Sequence, residues 1–436
     1  MLHRARPIIV CSGLLFPASL LIGCMSGEPL TVDSATESLG SCSKLVRNGS
    51  YSVESQEDLD ELADYAHITG SLHVSDLDLE VFVGPGCLRS IGGSLRFEGN
   101  PTLTRVEGFA RLDSIGDALH FVENPALAQV SGFPKLETIG GTLGLEFNAG
   151  SVAIDGFDDL YSIGGDVRFG GGSHTVEGFS ELERIDGRIV GAEVGRVTIN
   201  GMNDLSTLGG VVFVLAGNLS LAGLTDLERV TGSLEFIEMA AVDTSGLSDL
   251  SHIGGNLRFN NATVSAAALA SFVDLKHIGG SLSISGGGDG VLGAFPKLET
   301  IGGGLFVFES GIDAIDGFPE LDSIGGSFSV EETSVAYIDG FDDLEFIGGS
   351  LRFGFSDSLT RIGGLDDLVE IGGNLEVYDN PLLTEIDLND LDLVGGDLVI
   401  TGNASYASCD AVSLYGHLLD HGFTGTATIT GNGPCD

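Results

Sequence analysis

The chain has 436 residues, and its 63 acidic and 19 basic side chains give a formal net charge of −44 at pH 7. This charge argues against nucleic acid as a partner, because binding to phosphates requires clustered Lys and Arg. The hydrophobic fraction of 42% excludes a disordered chain.

The first 23 residues predict an export signal. Arg4 and Arg6 precede an apolar stretch, residues 8–22, that is short for a membrane helix. The stretch runs into Leu21-Ile22-Gly23-Cys24, which resembles the lipobox of bacterial lipoproteins. The resemblance implies that residues 1–23 are removed and that Cys24 becomes lipidated. An ordinary secretory signal is the alternative.

The residues that follow predict a destination and a tether. Met25 stands where the lipoprotein sorting pattern uses Asp for retention at the inner membrane. The resemblance therefore implies the outer membrane or surface of a bacterial cell, with the membrane contacted through the lipid only. Residues 24–41 are polar and predict a flexible tether. Residues 42–67 predict an N-terminal cap, in which Ser55 is the N-cap of a short helix.

An internal repeat fills residues 68–401. Leucines recur at steps of 22 to 25 residues, and each is followed three positions later by an anchor residue, Ile, Leu or Val, and usually by Gly-Gly. The leucines are Leu88, Leu112, Leu136, Leu160, Leu182, Leu205, Leu227, Leu250, Leu275, Leu298, Leu321, Leu344, Leu368 and Leu391. Fifteen anchors span 326 residues from Ile68 to Val394, or about 23 residues per step. Such a repeat predicts a solenoid, in which each coil buries its apolar face against its neighbours.

Within each coil the pattern predicts a strand, a buried stack and a turn. Leu95 and Phe97 alternate with polar residues after Gly-Gly, which is typical of a strand with one buried face. Six positions before most anchors stands Phe, Leu or Met, from Phe109 to Leu365. We interpret this column as an internal stack rather than a track for a ligand. Asn recurs nine positions after several anchors, as at Asn100, and predicts a ladder that satisfies the turn backbone.

The whole pattern resembles a known repeat. Residues 88–103 have the form Leu-x-x-Ile-Gly-Gly-x-Leu-x-Phe-x-x-Asn-Pro-x-Leu, which is similar to the receptor L-domain repeat, and the resemblance covers roughly residues 42–435. It implies an all-β, right-handed parallel β-helix of about 15 coils with short helical caps. A leucine-rich-repeat horseshoe is the alternative, because Leu-x-Phe-x-x-Asn matches its core consensus. Strands on more than one side of each coil would favour the β-helix.

Residues 402–436 predict a C-terminal cap, with a helix from Asp410 to Asp420 and a last strand from Thr426 to Thr430. Export implies an oxidising compartment. We therefore predict one disulfide at each end of the array, because the other pairings would join opposite ends of a long rod. The predicted pairs are Cys42 with Cys87 and Cys409 with Cys435.

A charged column lies four residues before the anchors, and in the middle coils all its members are acidic. They are Asp159, Glu181, Asp204, Asp226, Asp249 and Asp274. At the coil spacing of about 4.8 Å, two carboxylates repel by about 0.9 kcal/mol in bulk water. Calcium is the one cofactor this acidic column suggests, because Ca²⁺ prefers carboxylate oxygens. A solvated acidic edge is the alternative.

The outward positions of the Leu-x-Phe strands mix arginine with apolar residues. They include Arg96, Arg168, Phe213, Leu215, Ile237, Arg258, Phe306, Phe308 and Arg352. Exposed apolar groups beside Arg and aromatic rings are typical of binding faces, and in receptor L domains a sheet face contributes to ligand contact. Scattered surface residues, or packing under a loop, are the alternative.

No group of residues in the sequence predicts catalysis. His417 and His421 share one helical face at a spacing used for metals, but no third ligand is evident, and we interpret them as a surface pair. We therefore predict a non-catalytic binding or adhesion protein for a carbohydrate, a peptide or a partner surface. A structural spacer is the second hypothesis, and an enzyme acting on polysaccharides is the third.

Overall fold

The structure, a computed structural model, describes Cys42 and residues 45–262, 265–293 and 295–435. The predicted signal peptide (1–23), the lipidation site Cys24 and the tether (24–41) lie outside the described residues. Within the described part, the helices are all too short or too polar to cross a bilayer.

Each coil contributes up to three strands, and each strand pairs in parallel with its counterpart in the next coil. In the described part of the chain, the principal sheet has seventeen strands: Tyr51–Val53, Leu72–Ser75, Leu95–Glu98, Leu119–Val122, Leu143–Ile154, Val167–Val176, Arg184–Ala192, Thr207–Val214, Leu234–Ile237, Leu257–Asn260, Leu282–Ser285, Leu305–Phe308, Phe328–Glu331, Leu351–Gly354, Leu375–Tyr378, Leu398–Thr401 and Ala427–Thr430.

The second group, which we term the anchor column, contains the repeated Ile or Val. Its separate strands are Leu45–Arg47, Tyr65–Ile68, Ser90–Ile91, Ser114–Ile115, Thr138–Ile139, Ser162–Ile163, Arg229–Val230, His252–Ile253, His277–Ile278, Thr300–Ile301, Ser323–Ile324, Phe346–Ile347, Glu370–Ile371 and Leu393–Val394. In two coils the anchor belongs to a longer strand, Arg184–Ala192 or Thr207–Val214, that continues into the principal sheet.

The third column lies on the remaining side. Its separate strands are Val81–Val83, Arg105–Glu107, Gln129–Val130, Arg196–Ile199, Asn218–Ser220 and Ala241–Asp243, followed by a distinct five-stranded sheet of Asp289–Leu292, Gly311–Asp316, Tyr337–Asp339, Arg361–Ile362 and Glu385–Ile386. Parallel strands on three sides of the coil make the fold a β-helix, whereas a horseshoe lines one side with strands. The predicted all-β parallel solenoid is confirmed.

The repeated apolar positions fill the interior. All fourteen leucines of the repeat are fully buried, and burial of each contributes about 1.5–3 kcal/mol before chain entropy is subtracted. The phenylalanine column is also buried, and the rings of Phe109, Phe133, Phe157 and Phe179 stack with centroids 4.9–5.0 Å apart. The interpretation of this column as an internal stack is confirmed.

The first glycine of the Gly-Gly pair is required by the approach of neighbouring coils. A Cβ atom on Gly140 would lie 2.3 Å from the carbonyl oxygen of Gly116, and one on Gly164 would lie 2.3 Å from that of Gly140. A side chain here would therefore push two coils apart.

Buried asparagines form ladders near both ends of the array. Oδ1 of Asn124 accepts hydrogen bonds from the backbone N–H of Asn100 (3.1 Å) and from its side-chain amide (3.0 Å). The Asn124 amide in turn donates to the carbonyl oxygens of Phe97 and Val122, at 3.0 Å each. Asn148, Asn380 and Asn403 are buried in the same manner. The ladder satisfies turn groups that would otherwise be buried without partners.

Helices and disulfides close both ends. Helix α1 (Gln56–Leu62) is capped by the Ser55 hydroxyl, which accepts from the backbone N–H of Asp58. Inside the array lie a 3₁₀ turn (Ser245–Leu247) and helix α2 (Ala266–Leu269), neither of which the repeat predicts. Helix α3 (Ser408–Asp420) precedes the last strand. The predicted disulfides Cys42–Cys87 and Cys409–Cys435 are both present, with Cα–Cα distances of 5.5 Å.

Candidate binding face

The outward side chains of the principal sheet form two columns. In the first column, strand register aligns Arg96 with His120, and Arg168 with Val190. Further along the same column, Phe306 aligns with Ser329, which in turn aligns with Arg352. In the second, Ile237 aligns with Val214, and Phe308 with Glu331. The predicted residues Arg96, Arg168, Ile237, Arg258, Phe306, Phe308 and Arg352 all point outward and are partly or fully exposed.

The prediction for Phe213 is wrong. Its side chain is fully buried and aligned with the buried Phe236. In this coil the first inward residue of the strand, Val211, comes three positions after the anchor Leu208. In a regular coil the spacing is four positions, as from the anchor Ile91 to Leu95. Because side chains alternate with a period of two, the loss of one residue exchanges the faces of the strand.

The same shift changes which apolar residues lie outward in the middle coils. Val212 and Val214 take the outward positions beside Phe213 and are half-buried. Val212 aligns with Val190, and Val214 with Ile237. Three adjacent coils therefore present an aliphatic stripe.

An aromatic patch lies further along the principal sheet. We define it as Phe306, Phe308, Arg352, Phe355 and Tyr378. The rings of Phe306 and Phe308 are stacked, with centroids 5.8 Å apart, and those of Phe355 and Tyr378 meet edge to face at 5.1 Å. Register places Tyr378 three coils beyond Phe308, about 14 Å at the spacing of parallel strands.

Glycine makes room for one of these rings. A Cβ atom on Gly354 would lie 2.4 Å from Cε2 of Tyr378, so the tyrosine ring occupies the space that a side chain at position 354 would fill. Its hydroxyl donates to Oε2 of Glu331 at 2.7 Å. Burial and this hydrogen bond both raise the pKa of Tyr378, so the phenol stays neutral at physiological pH.

Arg352 is held in place by two carboxylates. Its Nε donates to Oε2 of Glu376 at 2.6 Å, and Nη1 lies 4.0 Å from Oε1 of Glu331. Burial alone would raise the pKa of Glu376, but hydrogen bonds from Arg352 and Asn374 outweigh it and lower that pKa. The patch therefore combines aromatic rings with a guanidinium of fixed orientation.

A left-handed corner follows the strands of the principal sheet. The corner residues with positive φ are mostly Gly, Asp, Asn or Glu: Asp76, Gly99, Glu123, Gly171, Glu193, Glu238, Asn261, Gly286, Glu309, Glu332, Asp379, Gly402 and Gly431. Three coils instead place a large apolar residue there. Phe147, Leu215 and Phe355 have φ of 58°, 52° and 52°, and they are 71%, 52% and 51% exposed.

This combination is unfavourable for folding on two counts. The left-handed region costs an L-residue about 1–2 kcal/mol, and the large exposed fraction of these side chains reduces the free energy that the fold gains from burying them. Glu adopts the same left-handed conformation in other coils, as at Glu123 and Glu332, so the exposed apolar side chain is the feature that sets these three corners apart. The sequence pattern missed Phe147 and Phe355. The signal that identifies them is an apolar residue at a corner position occupied elsewhere by Gly or an acid.

The acidic column does not form a compact group of ligands. Asp159 is paired with Lys135 at 2.6 Å, and Asp274 is paired with Lys297. Glu181, Asp204, Asp226 and Asp249 are exposed. Among the described residues, one group of three His, Cys, Asp or Glu side chains brings ligand atoms within 4.8 Å of one another, and it contains none of the column's six acids. This geometry favours the solvated acidic edge.

Comparison with known proteins gives little further information. No family model matches the chain, and no curated protein matches it. Among solved structures, a crystal structure of a TLR13–ssRNA13 complex is similar over 88% of this chain and 72% of the other chain, with 11% identity and a TM-score of 0.27.

Proposed function

We propose that this protein is a non-catalytic binding solenoid that recognises a polypeptide partner through the aromatic patch on its principal sheet. The observation that carries the proposal is Phe355, a strained and exposed apolar residue directly beside Tyr378 and near Arg352. Tyr, Arg and aromatic rings dominate the binding energy of protein interfaces.

The shape of the face favours a macromolecule over a small molecule. The patch lies across in-register strands of one sheet, whereas small ligands bind in concave pockets that enclose most of their surface. The net charge of −44 repels acidic partners at long range and attracts neutral or basic ones. A polypeptide with apolar and basic residues therefore suits the patch.

We further propose that the protein acts at the cell surface, attached by lipid at Cys24. The support is the sequence Leu21-Ile22-Gly23-Cys24, which lies outside the described residues. Metabolic labelling with a radioactive fatty acid tests this: the label should be incorporated by the full chain and lost with Cys24→Ala. Labelling that persists in the variant contradicts the anchor.

The binding proposal is tested by selecting peptides from a random library displayed on phage against the purified full chain. Selected peptides should lose about 30-fold or more in affinity with Phe355→Asn or Phe308→Ser, since interface hot spots contribute about 2 kcal/mol or more. The matched control is Phe147→Asn, which changes the same corner position far from the patch and should leave affinity unchanged.

Two outcomes contradict this function. If no peptide is enriched over a library control, or if affinity survives both patch substitutions, the aromatic patch is not the binding site. A parallel glycan array covers the alternative ligand class. Glycan binding that is lost with Phe355→Asn would replace the polypeptide by a carbohydrate.

A further inference from the structure

We infer that the C-terminal cap contains a binding site for a divalent transition-metal ion, formed by Asp392, His417 and His421. His417 lies in the last turn of α3 and His421 is the C-cap of that helix, whereas Asp392 belongs to the last complete coil, immediately before the strand Leu393–Val394. Sequence spacing indicated only the two histidines. The packing of α3 on the coil supplies the third ligand.

The three side chains converge on one point. Oδ1 of Asp392 lies 3.2 Å from Nε2 of His417 and 3.4 Å from Nε2 of His421, and all three ligand atoms lie within 4.8 Å of one another. Metal–ligand bonds of about 2.0–2.2 Å at tetrahedral angles place neighbouring ligand atoms about 3.3 Å apart. The observed distances match the edges of such a polyhedron.

One ring nitrogen of His421 has a backbone partner. Its Nδ1 lies 2.9 Å from the carbonyl oxygen of His417, and because a carbonyl can only accept, Nδ1 bears the hydrogen in this contact. The other ring nitrogen, Nε2, lies 3.4 Å from Oδ1 of Asp392 and is the atom left to coordinate a metal ion.

This arrangement is also the usual support for a metal-binding histidine. Such a histidine donates its other ring N–H to a carbonyl or carboxylate, which fixes the tautomer and the orientation of the ring. Two imidazoles and a carboxylate suit Zn²⁺, Ni²⁺ or Cu²⁺ and are poor ligands for Ca²⁺. The three side chains are 40–49% exposed, which leaves a coordination position for water or for a donor from another molecule.

Titration calorimetry of the full chain, stripped of metal with a chelator, tests the site with ZnCl₂ as the probe. We expect one Zn²⁺ per chain, and at least about tenfold weaker binding with Asp392→Asn, His417→Ala or His421→Ala, because even groups that only support ligands change affinity 10–100-fold. Circular dichroism confirms that each variant is folded. With Co²⁺ in place of Zn²⁺, visible absorption bands should appear and be lost with Asp392→Asn.

The matched control is His277→Ala. His252 and His277 also pack ring to ring, with centroids 4.8 Å apart. A carboxylate is also near, since Oε2 of Glu299 lies 3.6 Å from Nε2 of His277, but among the described residues this cluster does not bring three ligand atoms within 4.8 Å of one another. Its loss should leave Zn²⁺ affinity unchanged. The inference is overturned if Zn²⁺ does not bind saturably, or if binding survives the substitutions at Asp392 and His417.

Discussion

Replacement of the buried His174 by leucine should remove a specific loss of stability in acid. The His174 side chain is 1% exposed, and it aligns with Val152 and Val197 in the third column. Burial, only partly offset by a backbone contact with Gly170, lowers the pKa of His174 to about 4 from an ordinary value of 6.5. Leucine is compatible with this column because Leu219 occupies it two coils further on.

The sign and size follow from proton linkage. Because the folded state resists protonation, the unfolded chain binds the extra proton between pH 6.5 and 4, and stability falls as the pH falls through this window. With about 1.36 kcal/mol per pKa unit, the free energy of unfolding lost through His174 is near zero at pH 7.5 and about 2.5 kcal/mol at pH 4.5. The leucine variant has no imidazole at this position and should not show this loss.

The assay is urea unfolding of the wild type and His174→Leu at several pH values from 7.5 to 4.5. Hydrogen exchange of the strand Val167–Val176 adds a local measure, because a long solenoid need not unfold in one step. Between pH 7.5 and 4.5, the free energy of unfolding of His174→Leu should rise by about 2.5 kcal/mol relative to that of the wild type. Val197→Leu changes no titrating group, so its free energy of unfolding should differ from that of the wild type by the same amount at every pH. A difference for His174→Leu that varies by less than about 0.5 kcal/mol across this range would refute the reasoning.

Three further predictions concern the coil itself. Gly140→Ala should lower the free energy of unfolding in urea by at least about 2 kcal/mol, because the added methyl group overpacks the contact between coils. Gly86→Ala, which has no atom within 4 Å of the new Cβ, should raise it by about 0.4–1 kcal/mol. Equal effects would contradict the close-approach argument. Asn124→Ala should cost about 3 kcal/mol, because it leaves buried backbone groups unpaired; a loss under 1 kcal/mol would show that water replaces the ladder. Phe147→Asn, at the most exposed of the three apolar corners, should raise stability by about 1 kcal/mol by relieving the left-handed conformation, and an unchanged midpoint would show that no strain is stored there.

The sequence was informative wherever a feature repeats. The burial of the leucines and the phenylalanine stack both follow from counting the period, because each coil meets the same neighbours as the one before. Phe213 shows where counting fails. One residue is missing between its anchor and its strand, and the period-two alternation turns that single deletion into an exchange of faces.

The candidate sites could be predicted only in part, because they depend on contacts outside the repeat. Asp392 precedes His417 by 25 residues, and only the docking of α3 on the last coil brings them together. Phe355 resembles an ordinary apolar residue until the backbone shows it at a left-handed corner. Exceptions to the repeat carry the functional information, and the repeat by itself does not say which exceptions are exposed.

The interruption of the third column by α2 affects how the protein would respond to force. Between the strands Ala241–Asp243 and Asp289–Leu292, α2 replaces the strand, whereas the principal sheet and the anchor column continue through the same coil. Among the described residues, two strand ladders hold this coil to the one before it, and on the third side the Thr244 hydroxyl bonds to Ala268 and Ser271 instead. We expect a chain pulled from its two ends to separate at this coil before the others. The C-terminal fragment would retain its own five-stranded sheet, the aromatic patch and the C-terminal cap.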